Sequence, residues 1–330
     1  MALFVFIGRD RPSVGVAVGV VGDALQGVPG VGVGDALRAS QESCVRIAYQ
    51  GEPGAFSEAA ARQLAADGTP VPCRSFEDVF AAVSDKSVDY GVLPIENSIG
   101  GSIHRNFDLL LEHQLPIVAE LEVPVIHHLL ALPGRTLDQV KRIYSHPQAL
   151  AQCDRFLRTL TGVEITATYD TAGSAKMIAT DHLEDAAAIA SARAAEVFGL
   201  VPLKSSIQDY QNNTTRFLVI GGRPLSSATP DKTTIVFTLA NEPGALFKAI
   251  SVFALRGIDL TKLESRPIPD RKWEYLFYLD VAAASDDVAC ARALAHLAEF
   301  APMVRVLGSY RSSKPASATN ALPDSFEIHA

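Results

Sequence analysis

Short apolar runs and amphipathic stretches alternate along the chain from residue 45 onward. Val45–Tyr49 predicts a strand, Gly51-Glu52-Pro53-Gly54 a turn, and Ser57 a cap for a helix reaching about Ala66. Val71–Arg74 predicts a strand, and Ser75 with Asp78 opens a helix to about Val83. Tyr90–Pro94 is apolar enough for a buried strand; the polar loop Ile95–Ser102 follows, then a helix from about Asn106 to His113. This βα repetition predicts a mostly parallel sheet covered on both faces.

A second unit of the same texture follows. Strands are predicted over 117–125, 127–132, 142–145, 164–169 and 186–189, with helices over 137–141, 148–159, 171–179 and 192–198. The strand Arg216–Ile220 then brings the chain back, so the pattern is that of two α/β lobes with a cleft between them. Ligands of such folds sit at the carboxyl ends of strands. Residues 223–231 have linker composition. Beyond them the order is strand 233–239, helix 243–256, strands 258–264 and 273–282, helix 286–300, strand 303–309. That βαββαβ order predicts a ferredoxin-like small domain over 232–310, with a loose tail over 311–330.

Residues 1–44 differ in kind: Gly and Val occupy 17 of the 44 positions, without period. Acidic residues punctuate the stretch, which argues against a signal or transit peptide. Gly30-Val31-Gly32-Val33-Gly34 lacks the third glycine of a dinucleotide fingerprint, Asp35 standing in its place. A disordered extension, or translated sequence ahead of a start near Val45, is the expectation.

The 330 residues carry 29 Lys+Arg against 37 Asp+Glu, a net charge of −8. That balance argues against nucleic acid or an anionic membrane as partner. Any anionic ligand then needs local donors. Cys44, Cys73, Cys153 and Cys290 form no metal spacing, and free thiols in a reducing, cytoplasmic compartment are expected. No run approaches the ~20 apolar residues of a membrane span.

Three loops have the composition of a site, and each leaves a plainer reading open. Glu96-Asn97-Ser98-Ile99-Gly100-Gly101 ends a strand with a carboxylate, an amide, a hydroxyl and small residues. It suits an anion or a capped turn. Ser145-His146-Pro147-Gln148, with Gln152 one turn on, offers helix N–H groups to an anion, or simple capping by Ser145. In Asn212-Asn213-Thr214-Thr215-Arg216-Phe217, an arginine opening a buried strand requires an anion. That anion is a ligand carboxylate or a fixed structural one. His127 and His128 are expected as strand residues rather than ligands.

Taken together, the stretches RIAYQGEPGAFS (46–57), LPIENSIGG (93–101), SHPQALAQ (145–152) and NTTRF (213–217) resemble the prephenate dehydratase family in order and spacing. GAL (244–246) and ESRP (264–267) resemble its ACT regulatory domain, and the likeness spans about residues 46–310. GSIHRN (101–106) and IASARAA (189–195) are also similar to plant arogenate dehydratases.

The resemblance implies a two-lobed, periplasmic-binding-protein-like (type 2) catalytic domain over 45–222 followed by the ACT domain. It implies loss of CO2 and hydroxide from prephenate to give phenylpyruvate, driven by aromatisation, with no cofactor. Arogenate is the alternative substrate, and a non-catalytic binding protein is the alternative of another class. Thr215 is then the catalytic hydroxyl, with Glu96, Asn97, Ser145 and Gln152 at the family's other catalytic positions and Glu96 as ultimate proton source. Arg216 is the carboxylate clamp, and Phe217, Asn213, Ser98, Gly100 and Gly101 complete the substrate site. L-Phenylalanine as effector is expected at Asn241, Gly244, Ala245, Leu246, Glu264, Ser265, Arg266 and Pro267. That site is shared between two ACT domains, hence a homodimer or homotetramer.

Overall fold

The computed structural model describes residues 44–225, 228–268 and 270–313. The expectations for residues 1–43, the near-fingerprint at 30–35 included, and for the tail beyond residue 313 lie outside the described residues.

The first lobe comprises β1 (Arg46–Gln50), α1 (Phe56–Leu64), β2 (Thr69–Cys73), α2 (Phe76–Ser84), β3 (Tyr90–Asn97), β4 (Gly101–Ser102), α3 (His104–His113) and β5 (Ile117–Pro124). The second holds β6 (His128–Ala131), a 3₁₀ turn (Leu137–Gln139), β7 (Arg142–Ser145), α4 (Pro147–Gln152), α5 (Asp154–Leu157), β8 (Glu164–Ala167), α6 (Thr171–Thr180), β9 (Ala186–Ala190), α7 (Ala192–Phe198) and β10 (Val201–Lys204). Strand β11 (Thr214–Gly221) then returns to the first lobe. The small domain is β12 (Lys232–Thr238), α8 (Ala245–Ala254), β13 (Leu260–Pro267), β14 (Tyr275–Val281), α9 (Val288–Phe300) and β15 (Met303–Tyr310), the βαββαβ order expected.

The first sheet runs β2-β1-β3-β11-β5, with β4 on β3. Strands β1, β2 and β3 are parallel, but β11 is antiparallel to both of its neighbours. A strand arriving from the second lobe enters from the opposite end, so β11, with the short β4, runs against a sheet whose β1, β2, β3 and β5 share one direction, as the mostly parallel expectation has it. Its apolar residues divide by alternation. Phe217 and Val219 pack with Ile47 and Tyr49 under α1, while Leu218 and Ile220 pack with α2 and α3 on the other face.

The second sheet runs β10-β6-β9-β7-β8. Its centre, the all-buried AAAIA of β9, lets helices approach closely on both faces. The predicted 148–159 helix is broken at Cys153. Asp209 causes the break: its N–H donates to the Gln152 carbonyl (2.7 Å) and its carboxylate takes the Arg155 N–H (3.1 Å), replacing helical partners. The lobes also meet at Gly54, whose φ is +92° and where a Cβ would lie 2.6 Å from the Ala194 Cα. Only glycine satisfies both conditions. Ser191 caps α7 and donates from Oγ to the Gly54 carbonyl, 2.6 Å away.

The third sheet, β13-β14-β12-β15, is antiparallel, with α8 and α9 over one face. Its other face packs onto the first lobe: Val236, Leu276, Tyr278, Leu307 and Tyr310 join one core with Phe107, Ile117, Leu218 and Ile220. Each such buried side chain contributes roughly 1.5–3 kcal/mol of transfer free energy. The Tyr278 hydroxyl donates to the Phe107 carbonyl (3.0 Å) and Arg305 Nη1 to the Leu111 carbonyl (3.0 Å).

Candidate active site

A cleft of about 170 Å3 opens where β3 ends and β11 begins, beside the crossings into the second lobe. Its lining includes Phe56, Ser57, Asn97, His127, His146, Gln148, Gln152, Thr171, Thr215 and Phe217. In register, Thr215 lies opposite Asn97 and Arg216 opposite Glu96. Alternation therefore sends Thr215, Asn97 and Phe217 to the cleft, and Arg216 and Glu96 to the other face, where the small domain docks.

A chain of side-chain amides joins the cleft residues, and its sense is determined by the backbone. Asn97 Oδ1 accepts the N–H groups of Ile99 (3.1 Å) and Gly100 (2.7 Å), which can only donate. Asn97 Nδ2 must then be the donor to Thr215 Oγ1 (3.0 Å) and Asn213 Oδ1 (2.8 Å). Gln152 Nε2 donates to Asn97 Oδ1 (3.3 Å), so Gln152 Oε1 accepts from Asn213 Nδ2 (2.9 Å) and His127 Nε2 (3.0 Å). Two consequences follow. Thr215 Oγ1 is an acceptor within the chain, which leaves its proton for the cleft. His127 carries its proton on Nε2.

Asn97, Asn213, Gln152 and Thr215 are all buried, so satisfaction of every amide group is an energetic requirement. Gly100 belongs to the same construction: a Cβ there would fall 1.8 Å from Gln148 Nε2. Gly101, at φ +78°, turns the chain into β4. His146 caps α4, its Nδ1 accepting the Gln148 N–H (3.2 Å), so its Nε2 carries the proton.

Several predicted roles are corrected. Arg216 is no substrate clamp. Its Nε lies 2.9 Å from Glu120, its Nη2 2.5 Å from Asp280 of β14, and its Nη1 3.8 Å from Glu96. Burial disfavours its charge, but Asp280 foremost, and Glu120, outweigh that and raise its pKa above the usual value. The fixed structural carboxylate is thus the anion that this arginine meets.

Glu96 likewise faces the small domain, 3.0 Å from Lys262 Nζ of β13, and is not poised as a proton source in the cleft. Ser145 neither caps α4 nor lines the cleft, because its hydroxyl donates to the Ile189 carbonyl at 2.6 Å and ties β7 to β9. Ser98 Oγ donates to the Asn212 carbonyl (3.0 Å) and accepts the Thr214 N–H (3.0 Å), stitching loop to strand outside the cleft lining. Ser57 is not a cap; it lies inside α1, buried, at the cleft wall.

The predicted effector residues divide in two. Asn241 and Gly244, which starts α8 at φ +82°, are exposed, as are Ser265 and Pro267. Along β13 the alternate positions point to the first lobe. Glu264 accepts from Ser102 Oγ (2.6 Å) and pairs with His104 (3.1 Å), and Arg266 pairs with Asp108 (2.9 Å). Burial would raise the Glu264 carboxyl, but Ser102, Lys262 and His104 hold it below its usual value. Glu264 and Arg266 therefore clasp the two domains rather than sit on the open face.

Sequence reasoning missed His127, which ends the crossing from β5, is 2% exposed, and meets Phe56 edge-on at 5.6 Å. Nothing in its local pattern separates it from an ordinary strand residue. No lysine or arginine is among the described residues lining the cleft. The four cysteines are free thiols.

Comparison with known proteins agrees with this layout. The family profile of prephenate dehydratases matches residues 47–224, and that of ACT domains residues 233–297. Arogenate dehydratase/prephenate dehydratase 2, chloroplastic, of Arabidopsis thaliana is 50% identical over 282 residues, covering 82% of this chain and 74% of that one. A solved prephenate dehydratase from Arthrobacter aurescens in complex with L-Phe is 34% identical at TM-score 0.75, covering 83% of this chain and 92% of that one. GqqA, described as a novel type of quorum quenching acylase, is 38% identical at TM-score 0.74, covering 81% and 98%.

Proposed function

The chain belongs to the prephenate dehydratase family, and from that premise and the cleft we propose that it removes CO2 and water from prephenate to form phenylpyruvate. It is a carbon–oxygen lyase with an ACT domain. Aromatisation supplies the driving force, so the protein's task is to seat a dianion, leave the departing carboxylate poorly solvated and assist the leaving hydroxyl.

The observation that carries this reading is the placement of Thr215 at the cleft wall with Asn97 Nδ2 donating to its Oγ1. Asn97 Nδ2 occupies one lone pair of Oγ1, which leaves the O–H available to donate to a ligand in the cleft. Such a donor stabilises the departing oxygen as charge develops on it; positioned acid assistance is worth ~10²–10⁴ in rate. A threonine does not surrender its proton outright at neutral pH. It relays one, and solvent replaces it. With Arg216 committed elsewhere, the carboxylates meet neutral donors: the His146 Nε2–H, the Gln148 amide, and the Ser57 and Thr171 hydroxyls. Hydrogen bonds of this kind to a charged acceptor contribute about 1.5–3 kcal/mol each.

Arogenate, with an amine where prephenate has a ketone, fits the same machinery, and curated relatives bear its name. Acyl transfer, named for one relative, would need a base on the threonine oxygen, whereas its hydrogen-bond partner here is an amide donor. L-Phenylalanine is the proposed effector at the open face of α8 and β13, shared by two chains in a dimer or tetramer, as expected from the resemblance. A cytoplasmic location is our proposal, although curated relatives are named chloroplastic.

Initial rates with prephenate and with arogenate, each with and without L-phenylalanine, test the reading. Phenylpyruvate formation modulated by phenylalanine supports it. No turnover of either substrate by folded protein would put a binding role first.

A further inference from the structure

His127 Nε2 is committed to Gln152 Oε1. Its other nitrogen, Nδ1, is shielded from water and has no hydrogen-bond partner among the described residues, although the ring lines the cleft. Because the proton sits on Nε2, Nδ1 is a pure acceptor. Burial also lowers the ring's pKa, which keeps it neutral. A buried acceptor without a donor is costly, and in a cleft the donor it lacks is one a ligand brings.

On the dehydratase reading, the ligand's chemistry is narrow. The two carboxylates and the ketone of prephenate only accept, so the ring hydroxyl is its single donor. We infer that His127 contacts the substrate directly: a small shift of the ring as the cleft fills brings the shielded Nδ1 within reach of the ring hydroxyl, whose hydrogen bond it accepts. With that proton held on one side, the lone pairs of the hydroxyl oxygen turn toward the O–H of Thr215. No proton changes hands at His127. The hydroxyl keeps its own hydrogen, the C–O bond breaks with its electron pair on oxygen, and a second proton delivered through Thr215 completes the leaving water. His127 thereby fixes the orientation of the leaving group, and Gln152 fixes His127.

The test uses His127→Gln, whose terminal amide replaces Nε2 as donor to Gln152 and removes the Nδ1 acceptor. Two ring-saturated, unreactive prephenate analogues, one with the hydroxyl and one without, serve as competitive inhibitors of both proteins. The expected result is an inhibition constant about tenfold higher for the hydroxyl analogue in the variant, and no change for the deoxy analogue. kcat/KM falls by the same factor for prephenate and arogenate. Equal weakening of both analogues, or of neither, overturns the inference. A loss confined to arogenate also overturns it, because it assigns Nδ1 to the ammonium. Should the variant fail to fold, ¹⁵N NMR of the wild-type imidazole decides: the Nδ1 resonance must move with the hydroxyl analogue and stay with the deoxy one. Wild-type protein that turns over neither substrate would sink the dehydratase reading itself, before any variant is made.

Discussion

Replacing Arg216 with glutamine separates a substrate clamp from an interdomain clasp. The Arg216 side chain is 13% exposed and its partners Glu120 and Asp280 are 2% and 4% exposed, so the cluster is screened little by solvent. Two charges about 4 Å apart interact by about 4 kcal/mol at an effective dielectric near 20. Removing one partner of a buried pair costs about 3–5 kcal/mol. Lys232 Nζ stays 2.8 Å from Glu120, so the loss falls mainly on Asp280, whose carboxylate keeps, among the described residues, only the Thr234 hydroxyl, 2.7 Å away. We therefore expect a loss near the lower bound, about 3 kcal/mol. That corresponds to a fall in Tm on the order of 10 °C, read by thermal denaturation. In the protein that remains folded, KM for prephenate should stay within about twofold, because the guanidinium faces away from the cleft. Loss of a true clamp would instead raise KM about 10- to 100-fold, the equivalent of a hydrogen bond to a charged group. A tenfold rise in KM with an unchanged Tm would refute the placement of Arg216.

Thr215→Val should lower kcat by about 10²–10⁴ while shifting Tm by no more than a couple of degrees, since Asn97 Nδ2 keeps Asn213 Oδ1 as acceptor; wild-type kcat in the purified variant would remove Thr215 from the chemistry. Gly100→Ala should leave folding intact but displace the Gln148 amide, which the added methyl would meet at 1.8 Å, and raise KM severalfold; an unchanged KM would take Gln148 out of substrate binding. His127, lowered from the usual 6.5 by burial, contributes stability that is present above pH 6.5 and lost as pH falls through its lower folded value, because only the unfolded chain takes up the proton there. The stability difference between wild type and His127→Gln, followed by denaturant melts from pH 8 to 5, should therefore shrink toward the acid end, and a constant difference contradicts this.

The alternation of apolar runs made both α/β lobes, the return of the chain and the βαββαβ domain legible, because period and turn chemistry are local properties. What escaped was which way neighbouring residues face. Thr215 and Arg216 adjoin in one polar motif, and composition assigns them one purpose. Pleating gives them opposite sides, and the small domain that claims Arg216 begins after them in the chain. Glu264 and Ser265 on β13 are divided in the same way. Ser145 illustrates another limit: a hydroxyl at a strand end reads as a ligand or a cap, while its true partner, the Ile189 carbonyl, is 44 residues away. The break at Cys153 depends on Asp209, more than 50 residues on, which no window of helical periodicity contains.

The place of β11 also orders events during synthesis. It fills the slot between β3 and β5, so those two strands have no direct pairing with each other. On the ribosome, a nascent chain that has emerged only as far as β10 carries two complete sets of helices and two bare strand edges, an invitation to intermolecular pairing. Thr215 arrives with the strand that closes the gap, and the seat for Asp280 arrives with it. Fragments ending before residue 214 should therefore call on chaperones and precipitate when overproduced, whereas those ending after residue 222 have both edges covered.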